Sequence, residues 1–273
     1  MSPPAIEAVA VVLFTTEEPR YLPRSLAPIL DAYGDEVVET VLVPPAGGTV
    51  AEARRYLRAF GPSASLRLGA RLLGGALLDG LPFGLGRRLT GRHHGVASLA
   101  AAHGVPVRRV TDVGAPPLAE HLRDLDPVLL LSVVCARRLP PRLLDVPDLA
   151  VNLHGSLLPK YRGRATAFWP LYYGDEETGV TAHLMTDTLD AGPILAQRAL
   201  PFREGDALDD VARSIADAGG DLAVDLLDRL LASDVEGPGD LETRPNRTTP
   251  ADYHTLPTPG ERREFRRRGN AFL

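Results

Sequence analysis

Apolar positions along the chain fall into short strand-like runs separated by stretches with helical spacing. Residues 6–14 (IEAVAVVLF), 37–43 (VVETVLV) and 128–134 (VLLLSVV) are nearly continuous apolar runs with β-branched members. Such runs suit strands covered on both faces. Residues 105–107, 150–154 and 178–185 are shorter or alternating and are also expected as strands. Helices are expected between them, at residues 22–33, 63–79, 99–103 and 116–125. Thr49-Val50-Ala51-Glu52 has the spacing of a capping box, and the helix it would open should stop at Gly61-Pro62. Strands alternating with helices predict an α/β, doubly wound, mostly parallel sheet. Residues 165–173 are expected to be helical with a kink at Pro170. Residues 207–216 and 221–231 are expected to form a helical hairpin around Gly219-Gly220. The chain thus divides into a main domain, residues 5–205, with a helical insertion at about 51–95. A C-terminal helical extension with a basic tail follows, residues 206–273.

Composition narrows the classes. An apolar content of 44% over 273 residues can bury a sizeable core. A formal net charge of −5 leaves no global field drawing the chain to nucleic acid or anionic membrane. The single cysteine, Cys135, excludes an internal disulfide and fits a reducing, cytoplasmic compartment. The start, MSPPAIEAVAVV, has no basic region of the kind that opens a signal peptide. The insertion mixes Leu66, Leu72, Leu73 and Leu77 with Arg67 and Arg71. It is expected as a packed cap or dimer contact, with a membrane-surface role as the alternative. His93-His94 is expected to be solvated. So is the basic run Arg262, Arg263, Arg266, Arg267 and Arg268, for which contact with an anionic substrate is the alternative.

Chemistry concentrates in NLHGSLLPKYRG, residues 152–163. Period-2 geometry puts Asn152 and His154 on one side of a strand where that strand runs out, a common place for active sites in open α/β sheets. Asp190 lies on a Gly/Pro-punctuated loop after the strand at 178–185 and is free to approach His154. An amide for an oxyanion, an imidazole for protons and a carboxylate to orient it suit acyl transfer. Taken singly, each has a plain alternative. Asn152 would cap a turn, His154 would be a satisfied core histidine, and Asp190 would make an Asx turn. An aromatic cluster, Phe168, Trp169, Tyr172 and Tyr173, follows the loop. Trp169 is read either as packing or as the wall of an acceptor pocket. After the first strand, Thr15-Thr16-Glu17-Glu18-Pro19 is no glycine-rich anion cradle, and its carboxylates would repel phosphate.

Taken in order, NLHGSLLPKYRG, GVTAHLM and DTLDAGPIL resemble the signature of the 10-formyltetrahydrofolate-dependent formyltransferases, and the resemblance spans about residues 126–202. It implies a Rossmann-like formyltransferase fold and 10-formyltetrahydrofolate as co-substrate, with no metal. It further implies catalytic roles for Asn152, His154 and Asp190. Folate contacts would come from Cys135, Ala136, Arg137 and Leu139, from Ser156, Leu157 and Leu158, and from Asp187 and Gly192. Acceptor contacts would come from Tyr161, Arg162, Gly163 and Trp169. The acidic loop at 15–19 stands where the glycinamide ribonucleotide enzymes bind phosphate, which disfavours that substrate. The residues after 231 are too few for the tRNA-contacting barrel of the methionyl-tRNA enzymes. The expected acceptor is therefore a small-molecule amine, an amino sugar first, with no nucleic-acid or membrane partner and a homodimer left open. A proline often stands in the sugar enzymes where this chain has Gly155. An amino acid or secondary-metabolite amine therefore stays open as acceptor, as do a formyltetrahydrofolate hydrolase and a folate-binding scaffold.

Overall fold

The computed structural model describes residues 10–231 and 237–273. The part of the expected first strand at residues 6–9 lies outside them. In chain order the elements are β1 (Val11–Thr15), α1 (Leu22–Tyr33), β2 (Val37–Leu42), α2 (Gly48–Phe60), α3 (Pro62–Asp79), α4 (Leu85–Thr90), α5 (Val96–Ala102) and β3 (Val107–Arg109). Next come α6 (Pro116–Leu125), β4 (Leu129–Val133), α7 (Pro141–Leu144), β5 (Leu149–His154), β6 (Arg162–Gly163), α8 (Phe168–Tyr173) and β7 (Glu177–Leu184). The chain closes with β8 (Ile194–Pro201), α9 (Leu208–Leu231), β9 (Tyr253–His254) and α10 (Pro259–Arg267).

Seven strands form one sheet in the order β3-β2-β1-β4-β5-β7-β8. The first five run parallel, and β7 and β8 are antiparallel additions at one edge. Helices cover both faces, which explains the unbroken apolar runs. In β1, Val11 and Leu13 join the core under α1 and α9, while Val12 and Phe14 join the core under α6. A third cluster, with Phe168, Trp169, Phe265 and Phe272, ties α8 to the C-terminal segment.

Four local expectations change. The capping box at 49–52 does not form: α2 starts at Gly48 behind a left-handed Gly47, and Glu52 instead bonds Arg55 and Arg164. Pro170 stands in the first turn of α8, where no intrahelical N–H is needed, so it kinks nothing. Residues 208–231 form one helix rather than a hairpin. Gly220 sits inside it because α1 passes close by: a Cβ there would lie 2.7 Å from the Ser25 carbonyl and 3.0 Å from Pro28, whereas one on Gly219 would meet nothing nearer than 3.9 Å. His94, expected to be solvated, is buried and its Nε2 bonds Thr90 Oγ1 at 2.7 Å.

The basic run at 262–268 lies on and just after α10, and most of it is engaged with the body. Arg262 donates to the Arg58 carbonyl, Arg266 to Ser63 Oγ, and Arg268 to the Tyr172 carbonyl. Arg267 and Arg268 also pair with Glu264, which holds that carboxyl at about 2.

Candidate active site

A polar ladder crosses the sheet face. Ser132 of β4 pairs in register with Asn152 of β5, and Asn152 pairs with His183 of β7. Ser132 Oγ donates to Asn152 Oδ1 at 2.9 Å, and Asn152 Nδ2 meets His183 Nε2 at 3.1 Å. His183 Nδ1 lies 2.8 Å from the Leu184 carbonyl, which assigns the proton to Nδ1 and makes Nε2 the acceptor. Burial, with the neighbouring His154 adding to it, pushes His183 down to about 4, so it is neutral throughout the ordinary pH range. The ladder therefore fixes which way the Asn152 amide faces and leaves its second Nδ2 hydrogen to serve as a donor.

His154 is buried two residues on, at the end of β5. Its Nε2 is 2.9 Å from the Tyr161 carbonyl, so a neutral ring carries its proton there. The Nδ1 lone pair then faces Asp190 Oδ2 at 3.6 Å. The same oxygen accepts the Gly163 N–H at 2.8 Å, and Asp190 Oδ1 lies 3.8 Å from His183 Nε2. Asn152, His154 and Asp190 thus come together, as the sequence expected. His183 was not anticipated. It sits within an alternating run, and only the antiparallel register against β5 sets it opposite Asn152.

Asp190 has a left-handed backbone, φ 51°, on a loop pinned from three sides. Arg162 donates to the Leu189 carbonyl and Arg138 to the Asp187 carbonyl. Asn246 Nδ2 donates to the carbonyls of Asp190 at 3.1 Å and Gly192 at 3.0 Å. Asn246 is another residue the sequence did not flag, because nothing in the tail signals its return to this loop. That return is completed by β9, which pairs with β6. A Cβ on Gly163, whose φ is 92°, would lie 2.3 Å from the His254 carbonyl. Gly192 is equally constrained, since its Cβ would lie 1.9 Å from the Leu184 carbonyl.

The residues expected to contact folate divide into two groups. Cys135, Ala136, Arg137 and Leu139 follow β4, and Asp187 and Gly192 flank Asp190 on its loop. These two loops are joined by Arg138, which donates to the Asp187 carbonyl. Val134 and Leu189, one on each loop, are exposed apolar side chains. Cys135 donates to the Arg137 carbonyl at 3.3 Å, and burial pushes its thiol up to about 11, which keeps it protonated at neutral pH. Ser156, Leu157 and Leu158 instead turn into the body. Ser156 Oγ bonds the Lys160 and Tyr161 carbonyls. Leu157 lies against Gly179. The Leu158 backbone is satisfied by Thr181 and Gln197.

Among the expected acceptor contacts, Arg162 is a buried clasp on Leu189, and Tyr161 is buried with its hydroxyl on Asp175 at 2.9 Å. Trp169 does not wall an open pocket. It is buried beneath His254, 4.6 Å between ring centroids, and its indole N–H is used by the Arg164 and Thr255 carbonyls. Tyr173, stacked on Tyr161, is the exposed aromatic of the cluster.

The loop after β1 carries its own anion. Glu18 accepts the N–H groups of Arg20 at 2.9 Å, Tyr21 at 2.6 Å and Leu22 at 3.1 Å, filling the α1 N-terminus. Burial raises its pKa against the pull of those donors. Glu17 does likewise for α5, accepting from Val96 at 2.7 Å.

A family model described as formyl transferase matches residues 86–227. The methionyl-tRNA formyltransferase of Pelobacter propionicus is 38% identical over 169 residues, which cover 62% of this chain and 52% of that protein. The chain spans about half the length of the curated relatives it matches. Among solved structures, the phosphoribosylglycinamide formyltransferase of Streptococcus pneumoniae TIGR4 superposes with a TM-score of 0.56 at 16% identity, covering 82% of this chain and 99% of that one. The N-formyltransferase of Helicobacter canadensis, solved with folinic acid and dTDP-3-aminofucose, gives 0.57 at 16% identity, covering 90% and 70%. At these identities the structural likeness speaks for the fold.

Proposed function

The chain belongs to the formyl transferase family, and on that premise we propose that it moves the formyl group of 10-formyltetrahydrofolate onto the amine of a small molecule, an amino sugar in particular. The observation that carries the chemistry is the pairing of an oriented amide with an imidazole whose free nitrogen faces a carboxylate. The acceptor nitrogen attacks the formyl carbon, and the carbonyl oxygen takes up negative charge. Asn152 donates its remaining Nδ2 hydrogen to that oxygen. His154 takes the proton released by the amine on Nδ1, where the resulting imidazolium pairs with Asp190. The folate N10–carbon bond then breaks, and the proton passes to N10. The products are the formamide and tetrahydrofolate.

The acceptor class rests on what the site offers. Glu18 already fills the helix terminus that would take a phosphate, which argues against a phosphorylated glycinamide in this position. Exposed Tyr173 supplies an aromatic face and a hydroxyl suited to a pyranose. The Helicobacter canadensis neighbour, whose structure contains dTDP-3-aminofucose, supports the same class. The names of the relatives, matched at 38% identity, favour a second acceptor, methionyl-tRNA. A panel of amines with 10-formyltetrahydrofolate, read by mass spectrometry, separates the two. Formylation of a nucleotide-linked amino sugar is expected. Formylation of methionyl-tRNA with every small amine inert would transfer the assignment to tRNA.

A further inference from the structure

The insertion between β2 and β3 leaves a row of leucines without a partner among the described residues. In α3, only the small residues Ala64 and Gly75 are buried, and Gly75 lies against Pro19. A packed helix turns its leucines inward. Here Leu66, Leu73 and Leu77 share one stripe and are 76%, 67% and 73% exposed. On α4, Leu85 and Leu89 are exposed as well. Leu68, Leu72 and Leu78 are half-buried, so the expected packed cap holds one row of leucines against the body and leaves a second row in water.

Charge is segregated in the same segment. Residues 48–95 carry eight arginines and two acidic residues, in a chain whose formal charge is −5. Both acids face inward partners: Glu52 pairs with Arg55 and Arg164, and Asp79 bonds Ser98. Only Arg55 and Arg71 among the eight arginines are held by carboxylates of the described residues. Arg54, Arg58, Arg67, Arg87, Arg88 and Arg92 have no carboxylate partner there.

We propose that this face, α3 with α4, docks on the surface of an anionic phospholipid bilayer. The exposed leucines would enter the acyl boundary while the free guanidiniums meet lipid phosphates. No described helix is long and apolar enough to cross a membrane, so the contact is interfacial. Charge complementarity selects this occupant. A two-fold contact between copies through the same patch would set arginine against arginine. A nucleic acid would satisfy the guanidiniums and leave the leucines in water.

Flotation of the full chain with vesicles tests it. Vesicles of phosphatidylcholine containing phosphatidylglycerol should carry the protein, and phosphatidylcholine alone should not. Replacing Arg87, Arg88 and Arg92 together by glutamine should weaken partition about a hundredfold at low salt. The combined variant Leu66→Gln, Leu73→Gln, Leu77→Gln should lose flotation with unchanged circular dichroism. Equal binding to both vesicle types, or none to either, would overturn the proposal. So would leucine variants that float normally, or a solution dimer that those variants dissociate. RNA binding of the same strength in wild type and leucine variants, without flotation, would assign the face to nucleic acid instead.

Discussion

Replacing His154 by alanine should cut formyl transfer by about 10²–10⁴-fold, the usual contribution of a positioned acid–base group. Asn152→Ala should cost about 10²–10³-fold through the lost oxyanion donor. The reasons lie in the ladder and the loop. His183 and Ser132 hold the Asn152 amide from both sides, and Asp190 faces the only free nitrogen of His154. Asp190→Asn keeps the shape but removes the charge that would balance the imidazolium, and should fall with the same group. Because His183 is held at about 4, lowering the pH modestly below neutrality should not charge it and should leave the amide oriented. Steady-state turnover with saturating folate measures all three variants. Near-wild-type turnover of Asn152→Ala would remove the oxyanion role from that residue.

Gly192→Ala should injure fold and activity together. Its added carbon would sit 1.9 Å from the Leu184 carbonyl oxygen, a main-chain atom that cannot swing away. Relief requires moving the loop that carries Asp190 and its Asn246 anchor. Overpacking of this kind costs about 1–3 kcal/mol, visible as a lower urea midpoint. Turnover should drop as well, because the His154–Asp190 separation would change. An unchanged midpoint and rate would mean that the loop yields freely.

The strands buried on both faces were legible because continuous apolar runs have few other uses; β2 and β4 fall within one residue of their expected limits at each end, as does the shorter β5. By contrast, β8 escaped notice. Gln197 and Arg198 interrupt its pattern, since an edge strand need bury only part of itself. Gly219-Gly220 looked like a helix stop, and no local signal distinguishes a stop from a groove cut for a crossing helix. At the site, Asn152, His154 and Asp190 were legible from their motifs. The neighbours that orient them were not. His183 and Asn246 act through strand register and through a tail that returns to the Asp190 loop, and both are long-range facts. Trp169 misled for a related reason: its exposure depends on His254, more than eighty residues away.

The fate of the formyl group tests the central claim most directly. The protein would be supplied with 10-formyltetrahydrofolate labelled in the formyl carbon, with and without an amino-sugar acceptor. Label should leave folate only when the amine is present and should appear as the formamide, in step with tetrahydrofolate release. Label released as formate at the same rate without any amine would make water the acceptor, and label remaining on folate throughout would remove the activity altogether.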